Sequence, residues 1–154
     1  GLSPLTAATI NDDRRAARAL LQSGARPDMR NRSGDNAVHL AIALGRDAIL
    51  GELMAAGIDV ELAGSEGETP LIMAIRAHNR NAFERLLAAG ADVNHLDRSK
   101  RSPLFWAIFE DQEDLALQLV SRSARGNPHG DGFAPLQIAN AMGHQRLALV
   151  LADK

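Results

Sequence analysis

The chain has 154 residues with a formal net charge of −2 and a pI near 6.2, and only 3% of its residues are aromatic. This weak negative charge argues against electrostatic attraction to nucleic acid or to an anionic membrane, so neither is expected as a partner. No run of eighteen apolar residues is present to span a bilayer, and the absence of Cys excludes disulfides, a thiolate nucleophile and a Cys-type zinc site.

A short phrase recurs along the chain at a fixed interval. It reads GDNAVHLAI at 34–42, GETPLIMAI at 67–75 and KRSPLFWAI at 100–108. The residues that open the five copies follow one another at intervals of 33, 33, 33 and 32: Ser3, Asn36, Thr69, Ser102 and Ala134. A second series with the same period of 33 consists of Gly24, Gly57 and Gly90. Two series with one period indicate a repeat protein.

Each copy predicts the same local structure. The opening Ser, Thr or Asn caps a helix, and Pro at the next position suits its first turn. A short apolar helix follows and is broken by one residue per copy: Asp12, Gly45, His78, Asp111 and Gly143. A second, amphipathic helix comes next, as at 80–89, and ends at a Gly that favours a left-handed conformation. An extended segment then turns back toward the next cap.

The phrase GETPLIMAI, followed later by LLAAGADVNHLD, resembles the ankyrin repeat, a helix–turn–helix–hairpin unit. The resemblance covers the chain as five units, at 1–32, 33–65, 66–98, 99–130 and 131–154. It implies an all-α repeat solenoid that forms a single domain, with the units stacked into a curved array because no unit buries both helix faces alone. The first and last units are incomplete, and the fourth interval is one residue short.

Catalytic and metal-binding patterns are weak. His39 and His144 occupy positions where the resemblance implies local hydrogen bonds or a helix start, and His78, His95 and His129 fall in turns or hairpins. No pair of His residues has the helical spacing of a zinc site, and no Gly-x-Ser-x-Gly or phosphate-binding loop is present. The basic stretch 14–18 is interpreted as a solvated helix face. We therefore expect no catalytic residues, no metal and no cofactor.

The resemblance implies that a protein partner contacts the hairpin tips and the exposed side of each first helix, on the concave face. The candidate partner-binding residues at these places are Leu44, Glu68, Arg76, Arg101, Phe109, Glu110, Phe133 and Met142.

Four of the five aromatic residues lie between 105 and 133. Trp106 occupies a core position and Phe105 a half-buried one, whereas the pattern places Phe109 and Phe133 on the exposed inner surface. Aromatic residues with a nearby Arg are typical of binding hot spots. We therefore predict a hot spot around Arg101, Phe109 and Phe133; the alternative is that the two Phe side chains cover each other at an irregular junction. Lys100 stands where other copies have Gly, which costs about 1 kcal/mol if its φ is positive.

The predicted function is a non-catalytic scaffold that binds a partner protein and is monomeric alone. Fifteen of the seventeen basic residues are Arg, which is typical of GC-rich bacterial genomes and suggests an immunity, adaptor or effector protein. One alternative is a regulatory segment of a larger multidomain protein, which the start of the chain inside a motif would fit. Another is a hydrolase that uses His129 with Asp131.

Overall fold

The computed structural model describes residues 2–122, 124 and 135–153. These residues form ten α-helices and no β-strand. The helices are α1 (Pro4–Ile10), α2 (Arg14–Gln22), α3 (Ala37–Ala43), α4 (Asp47–Ala55), α5 (Pro70–Arg76), α6 (Arg80–Ala88), α7 (Pro103–Phe109), α8 (Glu113–Ser121), α9 (Pro135–Met142) and α10 (Gln145–Ala152). A first and a second helix therefore alternate along the chain, as the repeat predicts.

The first helices begin at the predicted caps. The hydroxyl groups of Ser3 and Ser102 each accept a hydrogen bond of 3.1 Å from the backbone N–H three residues on. Thr69 makes the corresponding contact at 3.5 Å, and the side-chain oxygen of Asn36 accepts from two backbone N–H groups at 3.0 Å. These bonds satisfy donors that a helix N-terminus would otherwise leave unpaired.

A single left-handed residue separates the two helices of each repeat. The five predicted breaking residues all have positive φ, between 51° and 80°: Asp12, Gly45, His78, Asp111 and Gly143. Three of them are not Gly, and Asp in particular tolerates this conformation better than most residues. The second helices α2, α4 and α6 end at Gly24, Gly57 and Gly90, whose φ values are 82°, 76° and 86°. The predicted turn positions are confirmed.

The extended segments form equivalent tight hairpin turns at three places. The backbone N–H groups of Asn31, Gly64 and Asp97 donate to the carbonyl oxygens four residues on, at 2.8 to 3.0 Å. The fourth residue of each turn has positive φ, and in the third turn this residue is Lys100, with φ 61°. This is the geometry of a turn followed by a left-handed residue, which normally selects Gly.

The chain divides into two compact units, 1–91 and 92–154. In the first unit α1 packs on α3 and α3 on α5, while α2 packs on α4 and α4 on α6. Its core is formed by apolar side chains that are completely buried: Ile42, Ile49, Leu50, Leu53, Leu71, Ile75, Phe83 and Leu86. Each repeat in this unit therefore covers its neighbour, as the repeat architecture predicts.

The second unit contains α7 to α10. The helix pair α7 and α8 packs against the pair α9 and α10, through contacts of α7 with α9 and of α8 with α10. Leu104, Ile108, Leu119 and Leu147 are completely buried in its core. That the whole chain, 1–154, is a single domain stays a prediction.

Candidate functional site

Helix α7 carries an exposed aromatic surface in the second unit. Its buried side holds Leu104 and Ile108, which are both completely inaccessible. Phe105 and Phe109, four residues apart, share another side of the helix, because residues at this spacing lie on one face. Phe105 is half-buried, whereas Phe109 at the end of the helix is 58% exposed. The sequence predicted both burial states.

The aromatic rings of α7 contact one another in a fixed arrangement. The rings of Phe105 and Phe109 are stacked, with centroids 5.8 Å apart and planes inclined by 10°. Trp106 meets both of them edge to face, at 5.6 Å from Phe105 and 5.8 Å from Phe109. Such pairs contribute about 0.5–1.5 kcal/mol beyond the area they bury. They hold the exposed Phe109 ring in one place, which lowers the entropy cost of using it in an interface.

A buried carboxylate anchors the cation beside these rings. The Asp97 side chain is inaccessible to solvent, and its Oδ2 accepts hydrogen bonds from Arg101 Nε at 2.9 Å and from Trp106 Nε1 at 3.1 Å. The guanidinium carbon of Arg101 lies 4.3 Å from the centroid of the Trp106 ring, which is the geometry of a cation–π contact. We call Arg101, Phe105 and Phe109, with Trp106 beneath them, the α7 patch.

Asp97 was missed in the sequence analysis, although a signal for it exists. Its Oδ1 accepts from the backbone N–H of Arg101 at 2.9 Å, which closes the hairpin turn from inside. Asn31 stands two periods earlier, and its Oδ1 accepts from the N–H of Asp35 at 2.9 Å in the same way. Asp and Asn at one turn position are typical of this local bond. The bond to Trp106 could not be inferred from it, because that contact depends on the folded chain.

The prediction that Glu68 is exposed for partner contact is wrong. Glu68 is only 5% exposed, and its carboxylate pairs with the guanidinium of Arg76. Its backbone oxygen also accepts a hydrogen bond from His39 Nε2 at 2.9 Å. A carboxylate can be buried in this way because it has a charged partner. Arg76 itself is exposed at the end of α5, so the two predicted residues meet each other there.

The other predicted contact residues lie at the ends of first helices. Leu44, which caps the C-terminus of α3, is 44% exposed, and Met142 at the end of α9 is 45% exposed. Glu110 follows Phe109 directly and is half-buried. Phe133 lies outside the described residues, so the predicted contribution of its ring to the hot spot stays a prediction.

The predicted solvated face of α2 carries an ion-pair cluster. Arg14 and Arg18 are both more than half exposed and both pair with Glu52 of α4, with the nearest N···O distances at 2.7 Å. Hydrogen bonds from these two guanidinium groups lower the pKa of Glu52 to about 2. This cluster neutralises part of the basic stretch and leaves it less suited to an anionic ligand.

His39 and His144 make contacts within the fold. His39 is 1% exposed and bridges Asn36 and Glu68, and burial lowers its pKa to about 4. His144 stands at the start of α10, with Nε2 3.3 Å from Asp111 Oδ1. The two residues of the hydrolase alternative, His129 and Asp131, lie outside the described residues. Within the described ranges, no three His, Asp or Glu side chains are grouped to hold a metal ion.

The helices of the described part of the chain are too short and too polar to cross a membrane.

A comparison with protein-family models identifies the family of this chain. The model described as ankyrin repeats (3 copies) matches residues 52–128, which is half of the chain. No curated protein matches the chain. Ankyrin repeats generally mediate protein–protein interactions and are typically non-catalytic. The match agrees with the alternating helices, the caps and the hairpin turns described above, and the chain belongs to the ankyrin repeat family.

Proposed function

We propose that this chain is a non-catalytic scaffold that binds a partner protein through the α7 patch. The observation that carries the proposal is the exposed Phe109 ring, which is held by Phe105 and Trp106. An exposed aromatic residue beside an anchored Arg is the combination that dominates binding hot spots. Ordered side chains also lose little entropy when a partner covers them.

Other exposed apolar residues support further contacts within each unit. Met142 belongs to the same unit as Phe109 and occupies the end of the corresponding first helix. In the first unit, Leu44 occupies the same repeat position as Met142. An interface of standard size buries about 800 Å² on each partner, so it needs residues beyond a single helix. The proposal therefore includes Glu110 and Met142 as secondary contacts in the second unit. Leu44 and Arg76 are proposed separately as partner contacts of the first unit.

The biological role and the oligomeric state are further proposals. The bacterial immunity, adaptor or effector role is supported only by the preference for Arg over Lys, which is a genomic rather than a physical indication. The alternative of a regulatory segment in a larger protein uses the same binding surface. A monomeric state is also proposed, and light scattering coupled to size-exclusion chromatography tests it.

The experiment compares capture of partners by three baits from a lysate of the organism that encodes the chain. The baits are the wild type, Phe109→Ala and Leu149→Ala. Leu149 is the matched control, because it is 69% exposed in the same unit but lies on the second helix α10. A protein that the wild type and Leu149→Ala retain, and that Phe109→Ala loses, is a partner of the α7 patch.

The captured protein is then purified, and its Kd is measured by calorimetry with each variant. We expect Phe109→Ala to weaken binding by at least tenfold, because removal of a hot-spot side chain costs about 2 kcal/mol or more. Its free energy of unfolding should fall by no more than about 1–3 kcal/mol, the contribution of its two ring contacts, because the ring itself is mostly exposed. Unchanged affinity together with a large loss of stability would mean that Phe109 is structural.

A further inference from the structure

We infer that the α7 patch binds a linear segment of its partner in which a carboxylate side chain lies within three residues of a large apolar side chain. The inference rests on the proposed function and adds the chemistry of the ligand. It is carried by the arrangement of Arg101 and Phe109, whose side chains both contact the ring of Trp106.

Arg101 is prepared to receive a carboxylate. Its Nε donates to the buried Asp97, and its guanidinium carbon lies over the Trp106 ring. The two terminal nitrogens of this side chain have no hydrogen-bond partner within the described part of the structure, and the side chain is 33% exposed. A guanidinium that is held by Nε and by contact with a ring keeps its outer N–H groups in a fixed fork, which matches the geometry of a carboxylate.

The distance between the cation and the apolar ring limits the spacing in the ligand. The guanidinium carbon lies 4.3 Å from the Trp106 centroid, and this centroid lies 5.8 Å from that of Phe109. The two ends of the patch are therefore no more than about 10 Å apart. An extended chain advances about 3.3–3.6 Å per residue, so this span corresponds to three residues or fewer.

The charged residues around the patch favour one orientation of the bound ligand. Arg98 and Lys100, both exposed, lie in the hairpin turn that precedes α7 on the Arg101 side. Glu110 and Asp111 follow Phe109 at the other end of the helix. A carboxylate of the ligand is attracted to the first end and repelled at the second. We therefore expect the acidic residue beside Arg101, the apolar residue over Phe109, and no acidic residue past the apolar one.

The test uses a display library of random twelve-residue peptides, selected on the wild-type chain. We expect the recovered peptides to be enriched in Asp or Glu at one to three positions from Leu, Ile, Met or an aromatic residue. The best peptide is then synthesised without Trp, together with a version in which its acidic residue is replaced by the matching amide. Trp106 is the only Trp of the chain, so its fluorescence reports binding at the patch directly.

We expect the amide version to bind the wild type at least tenfold more weakly, because it loses a charge-assisted hydrogen bond to Arg101. This measurement needs no protein variant and is unaffected by misfolding. Arg101→Gln should bind the acidic and amide peptides about equally. Arg146→Gln, a matched control at an exposed Arg on α10 of the same unit, should keep the difference. Thermal unfolding of both variants checks that Arg101→Gln remains folded.

The possible results separate the inference from the proposed function. Peptides without an acidic residue, or an amide version that binds equally well, would overturn the inference; if Phe109→Ala abolishes their binding, the α7 patch remains a binding site. Peptides that bind Phe109→Ala and Arg101→Gln like the wild type would overturn both. Failure to recover any peptide would also overturn the inference of a linear ligand, and the lysate capture would then decide the proposed function alone.

Discussion

The replacement Asn36→Thr is expected to stabilise the protein, because His39 lies between two oxygen atoms that accept hydrogen bonds. His39 Nδ1 is 2.8 Å from Asn36 Oδ1, and Nε2 is 2.9 Å from the backbone oxygen of Glu68. The orientation of the Asn36 amide is set by two backbone N–H groups, from Val38 and His39, which donate to the same Oδ1. Burial lowers the pKa of His39 to about 4, so the ring is neutral at pH 7 and has a single N–H.

A neutral ring can satisfy only one of these two oxygens. The backbone oxygen of Glu68 can only accept, so we place the proton on Nε2, and Nδ1 then faces Asn36 Oδ1 without a hydrogen between them. The amide nitrogen of Asn36 is also buried without a partner. A Thr hydroxyl accepts from the helix N–H and donates to Nδ1 at the same time. Thr69 already caps the next repeat at the equivalent position.

The expected gain follows from the groups involved. A buried, unpaired polar group costs about 1–3 kcal/mol, and a new hydrogen bond contributes about 1 kcal/mol. Thr is a slightly weaker cap than Asn, and the repacking of a smaller side chain removes part of the gain. We therefore expect Asn36→Thr to raise the free energy of unfolding by about 1–2 kcal/mol. The matched reverse change, Thr69→Asn, should lower it by about 1 kcal/mol, because Ile72 gives its amide nothing to bond.

The same reasoning fixes the pH dependence of the wild type. The pKa of His39 is about 4 in the folded chain and about 6.5 in the unfolded chain, so between these values the unfolded chain binds more protons. Stability from this group is therefore complete above pH 6.5 and is lost as the pH falls toward 4, by about 1.4 kcal/mol per unit and about 3 kcal/mol altogether. The pKa of Glu52 is lowered to about 2, so its contribution is lost only at lower pH, from about 4.5 downward.

Urea unfolding followed by circular dichroism at pH 7.5 and 5.0 measures the stability gain of Asn36→Thr and the pH dependence of the wild type. Nitrogen-detected NMR of the His39 ring gives its pKa and its tautomer. A pKa above 6.5 would refute the reasoning, since the ring would then be an imidazolium that donates to both oxygens. In that case stability would rise as the pH falls from 7.5, and Asn36→Thr would destabilise the protein.

Three further changes test the packing of individual residues, each by urea unfolding against the wild type. Asp97→Asn should lower the stability of the second unit by about 1–3 kcal/mol and change the emission of Trp106. We expect the amide oxygen to stay on the backbone N–H of Arg101, as in Asn31, so that the amide nitrogen faces the indole N–H. Unchanged emission would contradict the contact. Gly51→Ala should raise stability by about 0.5–1 kcal/mol, since Gly disfavours a helix interior. The new methyl group meets only the end of the flexible Arg85 side chain, at 3.2 Å, and displaces at most its 3.3 Å hydrogen bond to the backbone oxygen of Asp47. Lys100→Gly should also stabilise, by about 1 kcal/mol, because φ is 61°; a loss would mean that contacts of the Lys side chain outweigh the backbone strain.

The features that could be predicted from the sequence are those set by neighbouring residues. Caps such as Ser102 and breaking residues such as Asp12 depend on hydrogen bonds and φ preferences within a few positions, and they were placed correctly. Trp106 and Phe109 were also assigned to the buried and exposed sides, since a period of 33 residues transfers the register of one helix to the next.

The features that could not be predicted depend on which side chains meet after folding. The burial of Glu68 requires the Arg76 side chain to reach back to its carboxylate. The role of Asp97 requires the indole of Trp106 to lie over the hairpin turn. A repeat pattern specifies the backbone positions, but not the pairing of charged side chains within one repeat.

A difference between the repeats that contain Glu68 and Arg101 explains why we place the proposed binding site in the second unit. Glu68 and Arg76 occupy the same repeat positions as Arg101 and Phe109, 33 residues earlier. In the earlier repeat the acidic and basic residues neutralise each other, so these two positions offer a partner less net charge and no aromatic ring. In the later repeat the acidic partner is Asp97 inside the preceding turn, which binds the Arg101 side chain through Nε and leaves its two terminal nitrogens available. The second position carries an exposed aromatic ring. The same backbone positions therefore form a closed ion pair in one repeat and an open cationic and apolar surface in the other.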